Sequence, residues 1–335
     1  MNIAVFRPFV SRAVGASLLI LCLVACSRSA VPSGAPAGSG NNPFMRQVAP
    51  ASLAADAAAP GANRTEQSAQ GAPIALSAPI GLAESKTGLL YVGNHGGTCP
   101  PCQVLVYNAA GVQQTSKTIT KGLDNPAGLA FDSSGKLYVA NYSNQTVTVY
   151  SSTGKQIVSR TMHTDPNYNP SGVQVDDELN VWVANRTNNN IGIGEIQVFN
   201  KSGAVIHTIT SNLVYPLGIV FAGSTEDAWV GNSETPNDAM TVYDASGNFV
   251  KKVSTRKFVP TYLAIRTGKL YVTDGLDSEL KVFSMSGSVS KTIKAGLDLP
   301  YGIAFNAAGD FYVANVGNNT ITEYNSAGTL IKTIH

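Results

Sequence analysis

The chain has 335 residues, of which 44% are hydrophobic and only 13% charged, with 32 glycines. That length suffices for one large domain or two ordinary ones, and sparse charge with abundant glycine points to a turn-rich all-β protein rather than a helical one. The formal charge is +2, and without Arg7 and Arg12 of the first 25 residues 21 positive side chains face 21 negative ones. This balance argues against capture of nucleic acid by a basic surface.

Arg7 and Arg12 precede an apolar run at residues 13–25. Thirteen residues are too few to span a bilayer and match the apolar region of a signal peptide. The run ends in Leu23-Val24-Ala25-Cys26. This sequence resembles the lipobox of bacterial lipoproteins, which implies cleavage before Cys26 and acylation of its thiol. Several acyl chains anchor a protein stably, because each buried methylene contributes about 0.8 kcal/mol. Ser27 follows, and in lipoproteins of diderm bacteria a serine there goes with export to the outer membrane. Residues 26–71 are dominated by Ala, Gly, Pro and Ser and show neither helical nor strand periodicity. They cannot bury enough apolar surface to offset chain entropy and are expected to form a flexible tether.

From residue 72 onward the chain repeats six times. A proline opens each unit, at Pro79, Pro126, Pro170, Pro216, Pro260 and Pro300. Five continue as Pro-x-Gly, and the fifth has Tyr262 in the glycine's place. A first aromatic follows, at Tyr91, Tyr138, Trp182, Trp229, Tyr271 and Tyr312. A second stands at Tyr107, Tyr150, Phe199, Tyr243, Phe283 and Tyr324, each four residues before a glycine. Alternation of period two within each unit predicts four short strands. In the second unit these fall at 128–131, 136–140, 146–150 and from Lys155 to about Arg160. Such units are the size of propeller blades, with the aromatics expected between neighbouring blades. The expected fold is all-β, a six-bladed β-propeller of four-stranded antiparallel blades over residues 72–335. Leu76-Ser-Ala-Pro79 matches Leu297-Asp-Leu-Pro300, so the two ends of this region are expected to meet and close the ring between the sixth and first blades.

The run Pro-x-Gly-Ile/Leu-Ala, Leu-Tyr-Val-Ala-Asn, Val-x-Val-Tyr and Gly resembles NHL repeats and the wider TolB-like six-bladed propellers. NHL repeats carry Asp after the second strand; here it is Asn94, Asn141, Asn185, Asn232 and Asn315, with Asp274 alone keeping the acid. These side chains are expected to satisfy hairpin backbone groups. Members of the superfamily are binding platforms, lactonases or lyases, so the resemblance implies an architecture and leaves function to the site.

Loop lengths single out one sector. Between the two aromatics the spacing is 12 residues in repeats two, five and six, but 16, 17 and 14 in repeats one, three and four. From the second aromatic to the next proline it is 17 in repeats three to five, but 19 and 20 in repeats one and two. The surplus is expected on the ligand face over blades one to three, and loops carry function more often than scaffold does. The candidate ligand-face residues there are His95, His163, Asp165, Tyr168, Asn169, Asn190 and Glu195.

Once Cys22 leaves with the signal peptide and Cys26 is acylated, Cys99 and Cys102 remain as a pair. An exported compartment favours their disulfide, whose small ring would contribute about 2 kcal/mol on the loop-entropy view. A redox role is the alternative, although redox Cys-x-x-Cys motifs open a helix and this one sits between strands. His95, Cys99, Cys102 and His163 would also be acceptable ligand types for a metal. Haem attachment needs a following His, where Gln103 stands.

Gluconolactonase-like propellers hold a divalent metal with Glu, Asp and Asn at the channel mouth. The residues flanking the repeat prolines here include no acid: Ala78, Asn125, Asn169, Tyr215, Val259 and Leu299 before, Ile80, Ala127, Ser171, Leu217, Thr261 and Tyr301 after. A hard cation needs several charged oxygen ligands. The expectation is a lipid-anchored envelope propeller that binds a polar ligand, a glycan or a protein without catalysis, with a metal-dependent lactonase, hydrolase or lyase as the alternative. No catalytic residue, metal, cofactor or nucleic-acid partner is expected, and the chain is expected to be monomeric.

Overall fold

The six repeats fold into six antiparallel sheets arranged in sequence order. The computed structural model describes residues 72–335 except 97–98, 100–101, 188–192, 223–226, 234–238 and 255–257. The expected signal peptide, Cys26, the tether and Asn190 lie outside the described residues. Among the described residues no helix is long and apolar enough to cross a membrane.

Each sheet begins at a repeat proline or one residue before it, with inner strands Pro79–Glu84, Pro126–Phe131, Asn169–Val175, Pro216–Ala222, Pro260–Arg266 and Pro300–Phe305. Each inner strand pairs with the strand that carries the first aromatic, and that strand pairs with the one carrying the second. The molecule is a six-bladed β-propeller.

The Pro-x-Gly motif has a steric cause. A Cβ on Gly81 would collide with the carbonyl of Ala127, on Gly172 with that of Leu217, and on Gly302 with that of Ile80. Successive inner strands therefore touch backbone to backbone around the axis, and only glycine allows that approach. The contact of Gly302 with Ile80 joins the last blade to the first. At the fifth blade Tyr262 replaces the glycine, and the Thr273 hydroxyl stands in the gap. It accepts the Tyr262 N–H at 3.0 Å and donates to the Tyr301 carbonyl at 2.6 Å.

The aromatic anchors pair across every blade interface. Tyr91 shares a buried cluster with Tyr150, Tyr138 with Phe199, and Trp182 with Tyr243. Trp229 does so with Phe283, Tyr271 with Tyr324 and Tyr312 with Tyr107. In each case the first aromatic of one blade lies in one buried cluster with the second aromatic of the next. The hydroxyls of Tyr150 and Tyr243 then donate to the carbonyls of Lys121 and Ser211 at 2.6 and 2.7 Å, pinning the turn that leads in from the preceding blade.

The ends of the region meet as expected, but the seam is packing rather than strand exchange. All four strands of the last sheet come from the C-terminal repeat, Leu330–Ile334 being the outermost. Leu76 enters the same cluster as Tyr312, Ile321 and Ile334. Lys332 Nζ donates to the Ala109 carbonyl of the first blade at 2.7 Å.

Blades one and two depart from the expected outer strand. In the first, only the bridges Tyr107–Gln113 and Val104–Ile119 stand where a fourth strand would be, with a 3-10 turn at Thr115–Lys117 between them. In the second, Lys155–Arg160 is not a strand. Val158–Arg160 is a 3-10 turn, and the outer strand is Met162–His163. The reason is length. In blade three Val205 and Ile209 pair with Phe199 and Ile196, whereas in blade two Gln156 and Met162 span the equivalent positions Tyr150 and Val147. Two added residues bulge out of the sheet edge in each of these blades. The surplus after the second aromatic, expected on the ligand face, is thus largely absorbed at the rim.

Candidate functional site

Five of the second strands end on the repeat Asn or Asp and the third runs one residue past Asn185 to Arg186, and all six of these Asn and Asp side chains are buried. They hold backbone. Asn94, Asn141, Asn232 and Asn315 accept the N–H of the residue two before the repeat proline, at 2.7–3.2 Å. Asp274 Oδ1 accepts from Val259, Leu276 and Asp277. Asn185 differs, donating to Glu195 and Gln197 while its own Oδ1 has no partner.

The residue after each of these stands at the channel mouth: His95, Tyr142, Arg186, Ser233, Gly275 and Val316. The His95 ring meets Tyr142 edge to face at 5.5 Å. The Arg186 guanidinium lies over Tyr142, 4.9 Å from the ring centroid. Val316 packs on a cluster of Ile80, Ala127, Leu217 and Tyr301, together with Tyr142 and Tyr262. These cluster members from the inner strands are the residues that follow four of the repeat prolines, so the channel is plugged by side chains.

Most polar groups in the channel are committed to structure. Ser171 Oγ donates to the carbonyls of Ala184 and Pro216 at 3.0 and 2.9 Å, Ser233 Oγ to Pro260, and Thr261 Oγ1 to Pro300 at 3.0 Å. The Ser171–Ala184 bond lies within blade three, and the others each stitch one blade to the next. Tyr262 spans the channel and donates to the Ser171 carbonyl at 2.7 Å.

Two groups are not so committed. Arg186 is only 8% exposed, its Nε has no partner, and it takes part in none of the ion pairs among the described residues. His95 is 7% exposed and its Nδ1 has no partner. Burial, helped by the neighbouring Arg186 charge, holds the His95 imidazole down to about 4, so it is neutral at neutral pH. The residues flanking the repeat prolines carry no charge, yet the mouth holds one buried guanidinium, that of Arg186. Register along the repeats would have found Arg186. It occupies the position one past the Asn, held in the other repeats by neutral groups.

The other sequence candidates fall into different places. His95 joins the mouth. Asp165, Tyr168 and Glu195 gather between blades two and three, where burial first and then the two carboxylates push the Tyr168 hydroxyl up. Glu195 is 4% exposed and shifted up, chiefly by burial. Asp165 accepts from the backbone and side chain of Asn167 at 2.8 Å, as a turn residue does. Asn169 is buried and accepts from Gln145. His163 is exposed on the outer strand of blade two and belongs to neither group. Cys99 and Cys102 lie within bonding contact of each other, their Cα atoms 4.4 Å apart. Asp124 approaches them, and Cys102 Sγ accepts the Asn125 N–H at 3.4 Å.

A divalent metal of the kind used by gluconolactonase-like propellers does not fit this mouth. Among the described residues, none of those that follow the repeat Asn or Asp is a carboxylate, and the Arg186 charge opposes a cation there. Elsewhere Asp274, Asp277 and Glu279 approach one another. The two Glu279 oxygens, however, are taken by Lys281 at 2.6 Å and Lys294 at 3.0 Å.

Comparison with known proteins agrees with this architecture. Residues 84–231, from the end of the first inner strand into blade four, match the family described as SMP-30/gluconolactonase/LRE-like region. No curated protein matches the sequence significantly. A streptogramin B lyase structure superposes with a TM-score of 0.58 at 15% identity, over 78% of this chain and 84% of that one. A gluconolactonase from Xanthomonas campestris gives 0.58 at 14% identity, over 72% and 84%. A chain of a nidogen/laminin complex gives 0.58 at 15% identity, over 77% and 93%. Enzymes and a protein from an interaction complex are thus alike in backbone, and at these identities the likeness establishes the six-bladed propeller fold.

Proposed function

We propose that this protein is a non-catalytic binding platform, tethered to the cell envelope through a lipidated Cys26, that takes a polar ligand at the channel mouth. A glycan or an envelope protein is the partner class in view, and no nucleic acid. The observation that carries the reading is the composition of the mouth. Its serine and threonine hydroxyls are bound to inner-strand carbonyls, its histidine is neutral and buried, and the described residues after the repeat Asn or Asp offer no carboxylate for a metal or for general acid–base work. The Cys99–Cys102 pair is read as a disulfide that fixes the first ligand-face loop beside Asp124 and Asn125.

The second reading is a lactonase, hydrolase or lyase, and the match of residues 84–231 to the SMP-30/gluconolactonase family favours it. One experiment separates the two. The full chain, purified in neutral detergent without chelator, is assayed for bound divalent metal and for turnover of aldonolactones with added calcium, zinc or manganese. The platform reading expects no stoichiometric metal and no turnover. About one ion per chain, with hydrolysis abolished by EDTA, would establish the enzyme reading instead. Substitution of Cys26 by serine is expected to move the protein from the membrane to the soluble fraction, and unchanged membrane retention would remove the lipid anchor.

A further inference from the structure

We infer that the channel mouth binds a carboxylate, held by Arg186 and the hydroxyl of Tyr301, on a ligand whose body is flat or apolar. The inference rests on the platform reading and names the ligand class of that same site.

The first argument is charge. An arginine removed from water needs an anion, because an unpaired buried charge costs several kcal/mol. Arg186 has no acidic partner among the described residues, and its Nε is buried without an acceptor. The Tyr142 face offsets part of this, since a cation over an aromatic ring gains about 0.5–2 kcal/mol. A ring face cannot satisfy the in-plane N–H groups, which need oxygen acceptors. A carboxylate matches the guanidinium fork with two parallel hydrogen bonds.

The second argument is the company Arg186 keeps. It lies over the Tyr142 ring, His95 meets that ring edge to face, and Tyr142 packs on the cluster that holds Tyr301 and Tyr262, so these groups are neighbours through Tyr142. Tyr262 is already engaged with Ser171. The Tyr301 hydroxyl makes no hydrogen bond among the described residues, and Tyr301 keeps 8% exposure at the mouth, as Arg186 does. One guanidinium and one hydroxyl without a hydrogen bond among the described residues therefore belong to the groups gathered about Tyr142.

The third argument selects the ligand. Among the described residues of the site Arg186 carries the single positive charge, because His95 stays neutral. A dianionic phosphate would be left half compensated, whereas a carboxylate is matched. The floor is Ile80, Leu217 and Val316, walled by the rings of Tyr142 and Tyr301. Such a surface favours an aromatic or aliphatic body behind the carboxylate over a hydrated sugar.

The test uses the full chain in neutral detergent and calorimetric titration with benzoate, benzamide, acetate and inorganic phosphate. Benzoate is expected to bind at least tenfold more tightly than benzamide or phosphate, and more tightly than acetate. Arg186→Gln should lose at least tenfold in benzoate affinity while leaving benzamide unchanged. Tyr301→Phe, which keeps the ring, should lose about threefold to tenfold and covers the case in which Arg186→Gln does not fold. Equal binding of benzoate and benzamide, or benzoate affinity unchanged in either variant, would overturn the carboxylate site and leave the platform standing. So would absence of benzoate binding to the wild type. A preference for phosphate would overturn the ligand class alone. Metal-dependent lactone turnover, by contrast, would sink the platform reading and is scored in a separate assay.

Discussion

The hydroxyl of Tyr262 crosses the channel and donates to the carbonyl of Ser171 at 2.7 Å, joining blade five to blade three. These blades share no side-by-side interface, so this bond is a strut across the axis. It is available only because the fifth repeat has a tyrosine where the others have glycine. Burial pushes the Tyr262 hydroxyl far up, as expected for a donor with no water to take its proton. Tyr262→Phe keeps the ring and orphans one carbonyl, so it is expected to lower stability by about 1–3 kcal/mol. Tyr301→Phe, whose hydroxyl has no partner among the described residues, should leave stability within about 0.5 kcal/mol of wild type. Urea midpoints of the two variants measure the contrast, and equal effects would show that the Tyr262 bond is not a strut.

His95 sets a pH dependence with a definite sign. Its folded value is about 4 against an ordinary 6.5, so between these limits the unfolded chain binds the extra proton. Stability attributable to His95 is complete above pH 6.5 and falls as pH drops toward 4, by about 3 kcal/mol in all. Glu195 and Asp274 are shifted up, chiefly by burial, and act in the opposite sense as their own range is crossed. The comparison must therefore be differential. His95→Gln is expected to lose less stability than wild type between pH 7 and pH 4, the gap approaching about 3 kcal/mol. A gap that stays constant with pH would mean that the imidazole meets water in the folded state.

What the sequence could reveal was set by periodicity. Twelve aromatics recurring in the same order announced six blades, because two of them fill each interface, and the Pro-x-Gly of five repeats marks the close approach of backbones that the structure shows. The outer strands of blades one and two were misread because residues 155–160 alternate acceptably for a strand. Only the pairing of Gln156 and Met162 to the neighbouring strand reveals two residues too many. Asp165 and Glu195 drew attention as acids in long loops, and the structure brings them near Tyr168. His163 lies in the same stretch of sequence yet points outward from the rim, because alternation puts neighbouring residues on opposite faces. Arg186 was passed over because an arginine at a strand end reads as solvated. Its burial comes from Tyr142 of one blade and from the inner strands of others, contacts that have no signature within its own repeat.

Gly302 is the seam between the last blade and the first. A Cβ there runs into the Ile80 carbonyl, and backbone cannot swing aside as a side chain can. Gly302→Ala is expected to cost more than about 3 kcal/mol, above the usual range for overpacking, because the ring must open to admit it. Gly88→Ala is the control. Its backbone has φ of +73° but nothing lies within 4 Å of the added carbon, so only the conformational cost of about 1–2 kcal/mol applies. Hydrogen exchange should show the Gly302 variant opening first at residues 79–84 and 300–305. Protection lost evenly around the ring would mean that the seam is no weaker than the other five interfaces.

Cys99 and Cys102 lie beside Asp124, and Cys102 is tied to the Asn125 N–H at the entry to blade two. A disulfide closing so short a ring should contribute about 2 kcal/mol through the unfolded chain. Reduction of the wild type and the double change to serine should therefore lower stability by the same amount, with no further effect of reductant on the double variant. Ligand atoms of Cys99, Cys102 and Asp124 lie within 4.8 Å of one another, which admits a thiolate metal site as the rival. Maleimide labelling of the unfolded chain separates them. For a disulfide, two thiols react only after reduction, and zinc does not move the melting temperature of the untreated protein. For a metal site, both thiols react once chelator is added, without reductant, and the loss of stability follows the chelator. His95 packs on Tyr142 and against the backbone of Asn125 and Pro126, and Asn125 donates its N–H to Cys102. Loosening this loop should therefore reach the mouth, and reduction is expected to weaken benzoate binding about threefold even though neither sulfur belongs to the proposed site.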